Sequence, residues 1–424
     1  MKKTLLTVLI SSAFLLTACG GGGGGDENES GSGNGSGNGD NGSVIVQPDT
    51  SIPLNNIADP VVKTAVYNET NMTSVAGESL VMTYKMLGVN GQEVQATSLV
   101  ITPKTAAPVT GWPIVVWAHG TTGVADQCAP SRSKLRVEIE GMITQLLSAG
   151  YVVVAPDYEG LGEPSGHEFH PFLNLKSEAY SITDAVVAAR NYLGAKVSNQ
   201  WMAVGHSQGG HAALGAAQYA SRANLDYKGT VAVAPASNLK TIFDTGKLLV
   251  ANLPAKDQVS TLASLNTYAA LINAGMQGQS SPPTYIQVFE TNAATIATQA
   301  ETICSEPLGL DFGIKMATAA NTTNSLSGYL TQSDFMQVPA ISTFLSSTSQ
   351  PLSVKVTTPV KIYQGGSDRT VPANATADLI TNAKNLGMTN TIVLEEDPAW
   401  DHTTAYTANI PNIVADVKSL MPIQ

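Results

Sequence analysis

WMAVGHSQGGHAALGAAQYA, residues 201–220, carries an apolar run into an alanine-rich one through a serine set among glycines. Gly205-His206-Ser207-Gln208-Gly209 matches G-x-S-x-G. A strand pattern before it and a helix pattern after it are the context in which that motif marks a nucleophile elbow. At such a turn the serine backbone is strained, and flanking side chains would collide. Ala212, Ala213, Ala216 and Ala217 let the helix lie close to a sheet. The Ser207 hydroxyl then projects near the helix N-terminus, whose partial positive charge favours a developing anion.

A serine hydroxyl needs a base, because it is almost fully protonated at neutral pH. Of the six histidines, His402 in DPAWDHTTAY follows the last strand pattern and is the expected base. His206 and His211 are expected to point away from the reacting centre. His119, His167 and His170 are read as structural or exposed. The acid that orients the base is expected at Asp368, in the loop of YQGGSDRTVP, because the order Ser207, Asp368, His402 is that of a hydrolase triad on an α/β sheet. Asp397 and Asp401 lie too close to His402 in sequence to orient its far nitrogen, and Asp157 in PDYEGLG reads as a loop-structuring residue. The oxyanion would be met by the backbone N–H of Gln208 and by that of Thr121 in AHGTTG.

Eight short runs rich in valine and isoleucine surround this motif: residues 79–87, 97–103, 112–118, 150–156, 201–205, 229–235, 358–364 and 390–396. Continuous apolar runs of this length suit strands buried on both faces of a mainly parallel sheet. Helical patterns at 137–150 and 177–193 lie between them, the second with Ser177 as expected N-cap. The alternation predicts an α/β fold with helices on both sides of the sheet. Residues 238–352 interrupt the rhythm with helix-like and Ser/Thr-rich segments, and are expected to form a mainly helical cap over the carboxyl ends of the strands.

The chain has 424 residues, 43% hydrophobic and 13% charged, with a formal net charge of −11. No basic block suggests a nucleic-acid footprint. Residues 1–18 combine Lys2 and Lys3 with an apolar run too short to span a bilayer, as a secretory signal peptide does. LTAC, residues 16–19, is similar to the lipobox of bacterial lipoproteins, which implies cleavage before Cys19, lipidation of its thiol and attachment to a membrane. Residues 20–43 are almost wholly Gly, Ser, Asn and Asp/Glu, a linker expected to stay disordered and to reach roughly 25–30 Å. The globular domain is expected over residues 44–424, as a monomer. In an oxidising compartment the remaining pair, Cys128 and Cys304, would form one disulfide.

Together VWAHGTTG, CAPS, APDYEGLG, GHSQGGHAAL, GGSDRTVP and DHTTAY resemble the α/β-hydrolase superfamily and, within it, the secretory lipase family, over roughly residues 55–420. The resemblance implies hydrolysis of small-molecule or lipid esters through an acyl-enzyme, without cofactor or metal, under a helical cap. Fungal members usually lack a lipobox and glycine linker, so surface anchoring departs from the family. A serine peptidase on the same fold is the alternative, disfavoured by a cap poor in charge. A non-catalytic binding protein is disfavoured by the intact triad positions.

Overall fold

The computed structural model describes residues 52–166 and 168–424, which belong to one compact unit. The expected signal peptide, Cys19 and the glycine-rich segment lie outside the described residues, as does His167.

Among the described residues, nine strands form one sheet in the order β1-β2-β3-β5-β4-β6-β7-β8-β9. They are β1 Val61–Val66, β2 Ala76–Leu87, β3 Glu93–Pro103, β4 Trp112–Ala118, β5 Val152–Pro156, β6 Val197–His206, β7 Asp226–Val233, β8 Val360–Gly365 and β9 Ile392–Asp397. β1, β2, β3 and β5 pair antiparallel in turn, and β5, β4, β6, β7, β8 and β9 pair parallel. The valine-rich runs of β4 and β5 are buried at every position, as strands covered on both faces must be.

Two departures from the sequence reading occur at the sheet edges. The apolar run of β9 is not buried on both faces: Val393 is 50% and Leu394 36% exposed, on an edge strand of the sheet. β1 escaped the sequence reading because an edge strand with Lys63 and Thr64 exposed carries no apolar run.

Helices cover both faces. α1 (Val137–Ser148) lies on one side; α2 (Leu175–Leu193) and α3 (Gln208–Tyr219) pack on the other. α2 begins two residues before its expected start, and its N-cap is not Ser177 but Asn174, whose Oδ1 accepts the Ser177 N–H at 3.2 Å. The Ser177 hydroxyl is turned instead to the Glu159 carboxylate. Between β7 and β8 run α4 (Leu239–Val250), α5 (Ala255–Gly275), α6 (Tyr285–Val288), α7 (Thr291–Ala297), α8 (Ser305–Thr323) and α9 (Pro339–Thr343). They enclose their own apolar core, including Phe243, Leu265, Phe289 and Phe312. After β8 come α10 (Ala373–Asn385), α11 (Thr404–Thr407) and α12 (Ile410–Leu420).

The parallel strands bring the ends of β4, β6, β7, β8 and β9 to one edge of the sheet. The loops leaving that edge carry Thr121, Ser207, Asp368 and His402, and the helical insertion starts there as well.

Candidate active site

Ser207 sits between β6 and α3 with φ +61° and ψ −120°, a conformation that strains a residue bearing a side chain. Its N–H donates to Val233 O at 2.9 Å, and its carbonyl accepts from His211 N–H at 3.1 Å and Ala236 N–H at 3.2 Å. The flanking glycines are required by contact. A Cβ at Gly205 would lie 2.0 Å from Gly209 O, and one at Gly209 would lie 1.9 Å from Ala118 O.

His402 Nε2 lies 2.9 Å from Ser207 Oγ, and His402 Nδ1 lies 2.7 Å from Asp368 Oδ2. The other Asp368 oxygen accepts the N–H groups of Thr370 and Val371, each at 2.8 Å. A carboxylate pinned in this way holds the imidazole with its proton on Nδ1 and leaves Nε2 free to take one from Ser207. The neighbouring acids have other tasks. Asp401 accepts from Thr403 N–H, Thr404 N–H and the Thr404 hydroxyl, and Asp397 accepts from Ala399 N–H. Asp157 is fully buried, where Thr97 and Ser131 N–H donate to it.

His206 does not point away, as expected, but meets the site. Its Nε2–H donates to His402 O at 2.8 Å, and the two rings lie 4.7 Å apart. Burial and the facing His402 push its pKa down to about 3, so it is a neutral donor to the loop that carries His402. His211 does turn away: its Nδ1 lies 2.6 Å from Glu178 Oε2, and its Nε2–H donates to Ser349 O. His119 faces Gly120 O and Asp157 O through its two ring nitrogens. These partners lie up to 196 residues apart in the chain, so residue pattern alone did not place them.

Among the described residues the N–H groups of Thr121 and Gln208 have no protein acceptor. Gln208 opens α3, where first-turn N–H groups have no partner within the helix. The loop of Thr121 is held from outside. Ser305 N–H donates to Thr122 O at 2.8 Å, and the Ser305 hydroxyl donates to Thr121 O at 3.4 Å. Ser305 follows Cys304, which forms a disulfide with Cys128, with Cα atoms 5.5 Å apart.

Two spaces meet at Ser207. One is a small apolar cavity of about 30 Å³ under α4 and α5, with Phe172, Leu173, Phe243, Leu265, Tyr268 and Ile272 in its wall. The other is a larger groove of about 550 Å³ that contains His402 and is bordered by Gln127, Lys134, Arg136, Glu138 and Glu306.

A family model described as secretory lipase matches residues 130–419 of the sequence. No curated protein matches it significantly. Among solved structures, a rice cell wall degrading esterase, LipA from Xanthomonas oryzae, superposes with a TM-score of 0.62 at 19% identity, covering 86% of this chain and 98% of that one. Candida antarctica lipase A in its closed state superposes with a TM-score of 0.57 at 17% identity, covering 82% of this chain and 79% of that one. The fold is therefore the α/β-hydrolase fold, with a helical insertion before β8.

Proposed function

The chain belongs to the secretory lipase family and is a carboxylic-ester hydrolase, and from that premise we propose that it acts through an acyl-enzyme on Ser207. The observation that carries this reading is the hydrogen-bonded line Ser207–His402–Asp368, with spacings of 2.9 and 2.7 Å. His402 Nε2 takes the Ser207 proton as Oγ attacks the ester carbonyl. The oxyanion is received by the N–H groups of Gln208 and Thr121. His402 then protonates the departing alcohol oxygen, and water repeats the sequence on the acyl-enzyme.

The two spaces at Ser207 divide the substrate. The leaving oxygen must lie beside His402 Nε2, and the groove contains His402 while the apolar cavity does not. The alcohol therefore occupies the groove and the acyl chain enters the cavity. A cavity of about 30 Å³ holds about one water, so an acyl chain has to part the cap side chains to enter. Turnover of p-nitrophenyl esters from acetyl to palmitoyl by wild type and Phe243→Ala tests this division. Truncation of the cavity wall is expected to shift the preferred chain length upward, and an unchanged profile would contradict it.

The family's secretory description supports export. The finer reading is that a signal peptide at residues 1–18 is removed and Cys19 is lipidated. Incorporation of a labelled fatty acid, abolished in Cys19→Ser, tests it. Among the described residues no helix is long and apolar enough to cross a membrane.

A further inference from the structure

Beneath the elbow lies a buried polar cluster that the acyl-transfer steps do not use. Gln208, Glu178, His170 and His211 are each 0–1% exposed. The side-chain nitrogen of Gln208 lies 2.8 Å from Glu178 Oε1 and 2.8 Å from His170 Nε2. An amide nitrogen can only donate. His170 Nε2 must then accept, which leaves the ring proton on Nδ1, facing Glu159 O at 2.9 Å. Burial holds His170 neutral, with its pKa pushed down to about 4, in keeping with that assignment. Glu178 also accepts Leu173 N–H at 3.1 Å and faces His211.

The amide of Gln208 is only partly satisfied, since its Oε1 has no partner among the described residues. Its nitrogen is nevertheless required by its neighbours: leucine at this position would leave the buried Glu178 Oε1 and His170 Nε2 without that donor. What the amide does supply is a two-point attachment for the residue that follows the strained Ser207. Such strain persists only where the surroundings over-determine the backbone. Val233 O holds the Ser207 N–H, and the N–H groups of His211 and Ala236 hold its carbonyl; the Gln208 clamp adds a side-chain restraint on the residue that follows.

We propose that Glu178 and His170 are positioning residues for the oxyanion hole, acting through the side chain of Gln208. The clamp fixes the direction of the Gln208 N–H, and it rests on the acyl-enzyme reading given above. The same Glu178 carboxylate binds Leu173 N–H, and Leu173 lines the apolar cavity. One buried group thus ties the anion donor to the wall beside it.

The test is kcat and KM for p-nitrophenyl butyrate, per active site titrated with a p-nitrophenyl phosphonate. The variants are Gln208→Leu, Glu178→Leu, Glu178→Gln and the double variant Gln208→Leu/Glu178→Leu. Gln208→Leu keeps the backbone N–H and removes only the clamp. It and Glu178→Leu are each expected to lower kcat roughly 10- to 100-fold, the scale of a donor misplaced by about 1 Å, with KM within about threefold. The double variant is expected to be no worse than the poorer single one, because both cut one connection. Glu178→Gln, whose amide oxygen still accepts from Gln208, is expected to retain activity within about threefold. A merely structural role would lower the melting temperature and leave kcat per titrated site unchanged. If Glu178→Leu does not fold, Gln208→Leu and His170→Gln carry the test. A kcat within twofold of wild type in Gln208→Leu, or additive losses in the double variant, overturns the proposal. Turnover by Ser207→Ala would instead overturn the acyl-enzyme reading, so the two failures are distinct.

Discussion

Removing the Cys128–Cys304 bridge separates two effects that act at the same place. The cysteines are 176 residues apart. In the chain-entropy account, releasing a loop of that length destabilises the folded state by about 5 kcal/mol. Unfolding a domain of roughly 370 residues carries an entropy of about 2.1 cal/mol/K per residue, or roughly 0.8 kcal/mol/K in all. The melting temperature of Cys128→Ala/Cys304→Ala should therefore fall by about 6 °C. Activity should fall too, well below the melting transition. Cys304 precedes Ser305, and Ser305 holds the carbonyls of Thr121 and Thr122 in the loop proposed to carry an oxyanion donor. Melting followed calorimetrically, together with kcat for p-nitrophenyl butyrate at a temperature where both proteins are folded, reads the two effects apart. A melting shift under 1 °C would refute the loop argument. An unchanged kcat would refute the claim that this contact holds a loop on which catalysis depends.

Other consequences follow from single groups. Asp368→Asn should keep the fold and lower kcat by roughly 10³–10⁴-fold, since the amide favours the wrong His402 tautomer; steady-state kinetics on the folded variant checks this. Gly209→Ala should lose several kcal/mol in a denaturant titration, because its Cβ would stand 1.9 Å from a backbone oxygen with nowhere to move. Acid should destabilise the domain through its buried histidines. His170 and His206 have folded pKa values of about 4 and about 3, below the ordinary histidine value. Between about pH 6.5 and pH 4 the unfolded chain binds protons that the folded chain refuses, so stability falls as pH falls. For His170 the loss reaches roughly 3 kcal/mol once the pH is below about 4. Glu159, whose pKa burial raises to about 7, opposes this between about pH 4.5 and 7; Asp157 and Asp184, whose pKa values burial also raises, oppose it as well. His170→Gln should flatten the acid limb of a stability-against-pH curve; an unaltered slope would contradict the assignment.

The elbow was legible because its constraints are local. Gly205 and Gly209 touch backbone a few residues away or on the adjacent strand, so the motif and its flanking patterns carry the geometry. Asp368 and His402 were legible because both follow strands that end at the same sheet edge. The cap was readable as an interruption with helix-like segments, but the bounds of its individual helices were not. Along α5, Leu262, Ala263 and nearly all positions from Leu265 to Gly275 are buried, so little polar face marks a helical period. The N-cap of α2 was misplaced because Ser177 and Asn174 are both good caps, and the Glu159 carboxylate that claims Ser177 comes from another loop. The contacts of Gln208, His206 and Ser305 join segments 30 to 196 residues apart, and only the folded chain brings them together.

The central claim is that Ser207 carries the acyl group during turnover. Acid quenching during turnover of p-nitrophenyl butyrate, followed by peptide mass analysis, measures this directly. The account predicts one butyryl group on the peptide that contains Ser207, absent from Ser207→Ala, which should also lack turnover. A butyryl group on any other residue, or a Ser207→Ala protein that hydrolyses the ester at the wild-type rate, would contradict it.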